Sequence, residues 1–348
     1  MDFVKYTSID NCYRQKVIDE IHVRCIDLKD WVVSEKVHGS NFSFWMDNEG
    51  CRCARRSGFL RQGDSFFNWE RVLDAYSAHL SILYQTCVSI LDDLADEGFI
   101  EIKDNNLEVV LYGELFGGSY NHPDVEKDPN ASRVQKGVSY CPWNDFYAFD
   151  LSINGAIISY DIFSTIMENV GFHYAKALYR GAFSECLKFP NDLPTSLPKR
   201  LGLPEMDVNI SEGVVLKPAT PMFFPSGSRV ILKNKNEKFA EIEKKTKKPK
   251  VVVTLTPEEE SILEYAYEYV TENRLRNVLS RFGPVTQKDF GKLLGSFAKD
   301  IREDLEKDHG QLSDILEKDR LKIVNKCINS NAQEMIRSNF VNITDNTF

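Results

Sequence analysis

The chain has 348 residues, 42% of them hydrophobic, and a formal net charge of −9. That composition excludes a disordered tail and allows two or three domains with a sizeable core, while the acidic balance confines any nucleic-acid contact to a local basic patch. No run approaches the roughly 18 apolar residues of a membrane span, the opening MDFVKYTSIDNCYRQK lacks an apolar signal core, and the eight cysteines form no CxxC pair; no membrane contact, reduced thiols and an intracellular location, cytoplasmic or within a host cell, are therefore expected.

Early in the chain, Trp31 to Val33 reads as a strand that delivers Glu35 and Lys36 to a break at His38-Gly39-Ser40. Phe42 and Phe44 then alternate with polar residues, so a hairpin is expected with Lys36 at its mouth and Gly39 permitting close approach of backbone or ligand. A lysine so placed is either a nucleophile or an ordinary exposed charge beside a turn. Asp47 to Gly50 is a turn signal and CRCARRSG a third strand. Apolar residues at helical spacing from Trp69 to Leu94 predict a helix packed on the sheet. EVVLYGEL (108–115), DFYAFDL (145–151) and GAIISY (155–160) are β-rich, and the long polar loop 119–141 between the first two is a lid or a variable insertion. SEGVVLKP (211–218) and SRVILKNKN (228–236) read as two further buried strands.

From 233 to 250 there are eight lysines against three glutamates, either a solvated connector or a phosphate-backbone contact. Thr256-Pro257-Glu258-Glu259 is a capping box that opens a helix expected to run to about Phe282 and stop at Gly283-Pro284. Two more helices are expected, from about Gln287 and about Ser313, with no internal repeat.

Several strands thus end in a charged residue: Lys36, Arg56, Glu114, Glu212, Lys217, Lys233 and Lys235. A phosphoanhydride site needs such a set, because the substrate's charge must be neutralised and a metal anchored. Their order, Lys36-Val-His-Gly, Leu-Tyr-Gly-Glu114, Phe146-Tyr-Ala-Phe149-Asp150, Glu212-Gly-Val-Val-Leu-Lys217 and Leu-Lys233-Asn-Lys235, resembles the motifs of the covalent nucleotidyltransferases. Within that superfamily the chain is most similar to the phage-type RNA ligase 2 family, which includes the kinetoplastid RNA editing ligases. Three features carry the narrower likeness: His38 two residues after the lysine, Arg56 in the segment Arg55-Arg56-Ser57-Gly58, and a helical C-terminal part with Asn273-Arg274, Lys288 to Lys292 and Asp300.

The resemblance implies an α+β fold: an antiparallel-sheet nucleotidyltransferase domain of the ATP-grasp-like ligase type over 1–243, a lysine-rich linker over 244–255, and a smaller all-α domain over 256–348. It implies an ATP-dependent RNA ligase in which Lys36 takes AMP from ATP, with Mg²⁺ or Mn²⁺, and passes it to an RNA 5′-phosphate that a 3′-hydroxyl then attacks. Phe149 would stack on adenine, with Glu35 and Val37 at the base edge. Asn41, Arg56 and Glu114 would hold the ribose and phosphate side, His38 the pyrophosphate or metal side, and Lys217, Lys233 and Lys235 the phosphates. Glu212 would anchor the metal, and Leu187, Phe189 and Asn191 would hold a second cation. Arg274 and Asp300 would contact RNA, a nicked duplex sealed by a monomer. A DNA ligase, a capping guanylyltransferase and an inactive nucleic-acid-binding relative are the alternatives; His38 and the missing C-terminal barrel pattern argue against the first two, and the intact charged set against the third.

Overall fold

Strand-forming residues flank Lys36 on both sides, as the alternation requires, but the two strands do not pair with each other. The structure, a computed structural model, describes residues 1–98, 100–101, 107–239, 256–345 and 347–348; the linker expected over 244–255 lies outside these. The chain divides into two units, Met1–Asn236 and Glu237–Phe348.

The first unit runs β1 (Asp10–Asn11), α1 (Gln15–Val23), β2 (Trp31–Lys36), β3 (Ser40–Asp47), β4 (Gly50–Arg55), β5 (Gly58–Phe59), α2 (Trp69–Ser89), α3 (Leu91–Asp96), β6 (Val109–Gly117) and β7 (Asn144–Ile153). It continues through β8 (Ala156–Ile157), α4 (Tyr160–Val170), β9 (Ala177–Gly181), α5 (Phe183–Leu187), α6 (Leu197–Arg200), β10 (Gly213–Pro218) and β11 (Leu232–Lys235). Two sheets result, ordered β1-β11-β10-β2-β9 and β5-β4-β3-β6-β7-β8, antiparallel except where β1 meets β11.

Since β2 lies in the first sheet and β3 in the second, the expected hairpin gives way to a crossing: Val37, His38 and Gly39 carry the chain from one sheet to the other. The crossing runs tight against β6, for a Cβ on Gly39 would sit 2.5 Å from the Leu115 carbonyl oxygen. The β3–β4 turn forms as expected, with Asp47 Oδ1 accepting from the backbone N–H groups of Glu49 and Gly50.

One face of β3, β6 and β7 supplies Phe42, Phe44, Leu111 and Phe146 to the main core, where α2 adds Val72, Tyr76, Leu80 and Leu83. Each of these side chains contributes on the order of 2 kcal/mol of burial. A second core, on sheet one, packs Trp31, Val33, Val214 and Leu216 against Ile18 and Ile21 of α1 and Phe183 and Cys186 of α5. Helix α2 ends at Ser89, and α3 continues beyond a break at Ile90. The strand expected over 155–160 is only two residues long, because Ser159 caps α4 by accepting from the Ile162 N–H. All eight cysteines are free thiols.

The second unit contains α7 (Pro257–Glu268), α8 (Glu272–Leu279), α9 (Phe290–His309), α10 (Leu312–Ile315) and α11 (Lys318–Thr344). The Thr256/Glu259 capping box forms with both hydrogen bonds. The helix expected to reach Phe282 is interrupted, because the Thr271 side chain accepts from Arg274 N–H and starts α8 afresh. No described helix is long and apolar enough to cross a membrane.

Arg274 and Asp300, expected to contact RNA, are a brace inside this unit. Arg274 is fully buried, and its Nη1 donates to Asp300 Oδ2 at 2.7 Å and Asp304 Oδ2 at 3.0 Å. Asp300 Oδ1 also accepts from Arg281 Nη1 at 2.8 Å. A guanidinium with no exposed surface cannot meet a phosphate, so the RNA-contact expectation is corrected for Arg274, while the partly exposed Asp300 has both carboxylate oxygens held by Arg274 and Arg281. Arg274→Ala should lower the melting temperature and cost roughly 3 kcal/mol in denaturant unfolding of the full chain, the low end for a broken buried pair because both carboxylates keep some water. Unchanged stability would refute the brace.

Candidate active site

Gly213 is the backbone hinge on which the site is built. It pairs with Lys36 of β2 on one side and Lys235 of β11 on the other. Its φ of +144° and a would-be Cβ contact of 2.1 Å with the Asn234 carbonyl oxygen require glycine. The preceding residue, Glu212, is thereby delivered between two lysines.

Glu212 Oε2 accepts from Lys36 Nζ at 2.7 Å and Oε1 lies 2.8 Å from Lys235 Nζ, with His38 Nδ1 at 3.6 Å from Oε2. The carboxylate is buried at 1% exposure. Burial alone would push its pKa up, but the charges of Lys235, Lys36 and His38 outweigh it and hold the group well below the usual carboxylate range. The Lys36 side chain keeps 16% of its surface open, while its amine is held by Glu212.

Other expected residues lie on the strands around this cluster. Asn41 of β3 and Glu114 of β6 face each other in register. Arg56, just past β4, donates from Nη2 to Ser8 Oγ at 3.4 Å. Lys233 lies two residues before Lys235 on β11, paired with Val215. Val37 is buried in the crossing. The Glu35 carboxylate is committed elsewhere: it accepts from Ser196 N at 2.9 Å, Ser196 Oγ at 2.6 Å and the Thr195 hydroxyl. What Glu35 can offer a base is its main chain.

Phe149 of β7 is half-buried and rests on Tyr6, ring centroids 5.1 Å apart. A second charged cluster lies beside it. Lys217 Nζ donates to the Phe149 carbonyl at 2.8 Å and to Asp150 Oδ1 at 2.7 Å, while Arg229 forks onto both Asp150 oxygens and reaches Tyr6 OH at 3.0 Å. The Tyr6 hydroxyl donates to Asp150. Lys217, expected among the phosphate-binding cations, belongs here instead: it pairs with Val32, four residues along β2 from Lys36, and is 3% exposed. Burial would raise the Asp150 pKa, but Arg229 and Lys217 outweigh it and hold it below the ordinary range. Tyr6 and Arg229 were missed in the sequence; an arginine opening the apolar run Val230 to Leu232 is the signal that could have raised Arg229, and nothing local marks Tyr6.

Leu187, the last residue of α5, and Phe189, in the loop that follows, pack against the second core. Asn191 Nδ2 donates to Asn234 Oδ1 at 2.9 Å and to the Lys235 carbonyl at 2.8 Å, so this side chain steadies β11. Among the described residues no group of three or more His, Cys, Asp or Glu side chains could hold a metal. A single carboxylate beside a triphosphate still fits Mg²⁺, which keeps several waters and takes one or two protein carboxylates with substrate phosphates.

The RNA ligase family profile matches residues 29–235, and a profile described as T4 RNA ligase 2 C-terminal matches 253–334. The chain belongs to the RNA ligase family. Mitochondrial RNA-editing ligase 1 of Trypanosoma brucei brucei is 33% identical over 246 residues, covering 62% of this chain and 50% of that protein. RNA-editing ligase 2, mitochondrial, of the same organism is 28% identical over 361 residues, covering 88% and 83% respectively. The chain therefore spans about half the length of the first of these relatives. A Naegleria gruberi RNA ligase solved with PPi has a TM-score of 0.42 at 13% identity, covering 69% of this chain and 58% of that one, too distant to bear on the site.

The Asp150 cluster has a pH signature. With the folded pKa below the ordinary value near 4, its contribution is full above about pH 4 and is lost as pH falls toward the folded value. Asp150→Asn leaves Lys217 and Arg229 buried without a counter-charge, so it should cost about 3–5 kcal/mol at neutral pH. Thermal melts from pH 7 to pH 3 should show the gap from wild type narrowing below about pH 4; a constant gap would show that the carboxylate's charge is not what holds the cluster.

Proposed function

We propose that this protein is an ATP-dependent RNA ligase that joins 3′-hydroxyl and 5′-phosphate ends at nicks in duplex RNA, acting as a monomer through lysyl-AMP and RNA-adenylate intermediates. The observation that carries this reading is the buried Glu212 carboxylate shared by Lys36 and Lys235, an amine suited to attack and a second cation held at one point of the first sheet. Membership of the RNA ligase family supports it.

In the first step the Lys36 amine, in its neutral form, attacks the α-phosphorus of ATP; a phosphoramidate N–P bond forms and pyrophosphate leaves. Lys233 and Lys235 draw the triphosphate in and stabilise charge as the bond to pyrophosphate breaks. Phe149 offers a face for adenine, with the main chain of Glu35 and Val37 at the base edge, and Asn41, Arg56 and Glu114 meet the ribose and α-phosphate side. Glu212 would hold Mg²⁺ or Mn²⁺ together with the nucleotide, and that ion would neutralise phosphate charge. His38 stands beside Glu212 on the pyrophosphate side. The RNA 5′-phosphate then displaces Lys36 from AMP, and the 3′-hydroxyl displaces AMP to close the strand.

With ATP labelled at the α-phosphate, the wild type should form a covalent, acid-labile adduct that Lys36→Ala loses, since the reading assigns the in-line attack to the Lys36 amine. GTP should not substitute, and Glu212→Ala should slow labelling by about two orders of magnitude or more. Labelling of Lys36→Ala would sink the nucleophile assignment, and equal labelling by GTP would move the protein to a capping-type reaction.

The division at 1–243 and 256–348 is part of this proposal. The helical unit carries thirteen Lys and Arg against seventeen Asp and Glu over 256–348, and Arg274 is inside it, so any grip on RNA comes from exposed cations and weakens with salt. A fragment ending near Glu243 should label itself with AMP yet seal a nicked RNA duplex at least about tenfold more slowly than the full chain. A folded fragment that seals as well would refute a substrate-holding role for the helices.

A further inference from the structure

The crossing between the sheets poses a local problem that the strands do not solve. At His38 the chain has left β2 and not yet entered β3, and the residue is 5% exposed, away from water. A buried N–H demands an acceptor. The acceptor is the hydroxyl of Tyr140, 2.8 Å from His38 N.

Tyr140 comes from the long loop between β6 and β7, and that loop is anchored throughout. Gly118 N donates to the Trp143 carbonyl at 2.7 Å, Ser119 N to the Cys141 carbonyl at 3.1 Å, and Val134 N to the Gly117 carbonyl at 3.1 Å. Gln135 Oε1 accepts from Gly117 N at 3.1 Å, and Ser139 and Asn209 exchange two hydrogen bonds, at 2.9 and 2.6 Å. The Tyr140 ring is fully buried and meets Phe116 edge-on, centroids 5.4 Å apart, so packing fixes where the hydroxyl stands. On the other side of Lys36, Thr195 and Ser196 fix the Glu35 carboxylate. Lys36 is thus held between Glu35, one residue before it, and His38, two residues after it.

We propose that Tyr140 is a positioning residue for the nucleophile: the β6–β7 loop is a brace whose tyrosine hydroxyl holds the His38 backbone and through it aims the Lys36 amine. The inference rests on the lysyl-AMP reading above. In-line attack tolerates little displacement, and a shift of about 1 Å in a reacting group costs on the order of a hundredfold in rate. Sealing of RNA that already carries a 5′-adenylate does not use the Lys36 amine, so the two reactions separate aiming from general integrity of the site.

The test compares full-length wild type, Tyr140→Phe and Tyr120→Phe; the last removes a hydroxyl of the same loop that donates to the Pro204 carbonyl instead of to the crossing. At saturating ATP, Tyr140→Phe should form lysyl-AMP about ten- to a hundredfold more slowly, with sealing of a 5′-adenylylated nicked duplex within about twofold of wild type. Tyr120→Phe should match wild type in both. Amide exchange of the peptide spanning 36–42 should accelerate in Tyr140→Phe alone. Unaltered lysyl-AMP formation in Tyr140→Phe, or equal loss of both reactions, or unchanged exchange at 36–42, would overturn the proposal. If the wild type forms no lysyl-AMP, the functional reading fails, and the exchange measurement by itself decides whether Tyr140 holds the crossing.

Discussion

One carboxylate holds the reactive end of this molecule together. Glu212 lies between Lys36 and Lys235, and each of these residues belongs to a different stretch of chain brought side by side by the β2-β10-β11 register. Without the carboxylate, two ammonium groups would converge in a poorly solvated corner and repel each other. With it, they can be kept close enough to act on one phosphate chain. The arrangement depends on Gly213, because any side chain there would drive β10 away from β11 and pull Glu212 out of reach.

A comparison of the two charged clusters in the first unit shows how the same residue types serve different ends. In both, a buried acid takes two basic groups. The Lys36 side chain retains 16% exposure, whereas Lys217 and Arg229 retain 4% and 3%. The first cluster keeps part of the Lys36 side chain at the surface, where, on the proposed function, its bonds would be exchanged for bonds to phosphate. The second is sealed by Tyr6 and the backbone of Phe149, so it can only hold: it fixes the strand that presents the half-buried ring of Phe149. Exposure, more than charge, separates the two clusters.

The helical unit repeats the lesson in another setting. Arg274, Asp300 and Asp304 form a third charged set, in which the arginine is buried and the two carboxylates partly exposed, and the arginine that looked like an RNA contact is the post around which α8 and α9 pack. Its neighbours Leu275, Phe297 and Ile301 are core residues, which leaves no path from the guanidinium to a polyanion.

What could be read without the fold was the chemistry that each strand end carries. Lys36, Glu114, Glu212, Lys233 and Lys235 stood out because charged residues beside apolar runs are a local pattern, and their order resembles the motifs of the covalent nucleotidyltransferases, which is what suggested a reaction. The core was legible too, since Phe42, Phe44 and the α2 stripe follow strand and helix periods. Three things were decided only by tertiary structure. Whether Trp31–Lys36 and Ser40–Asp47 pair with each other or with distant strands depends on partners more than 60 residues away, β10 and β6, which no local period encodes. Whether Lys217 and Arg274 are reagents or braces depends on burial, and a cation reads the same in sequence whether its counter-charge is solvent, substrate or a distant aspartate. The partner of the His38 N–H is a tyrosine 102 residues away in an irregular loop, a contact made by packing and invisible to any pattern of spacing.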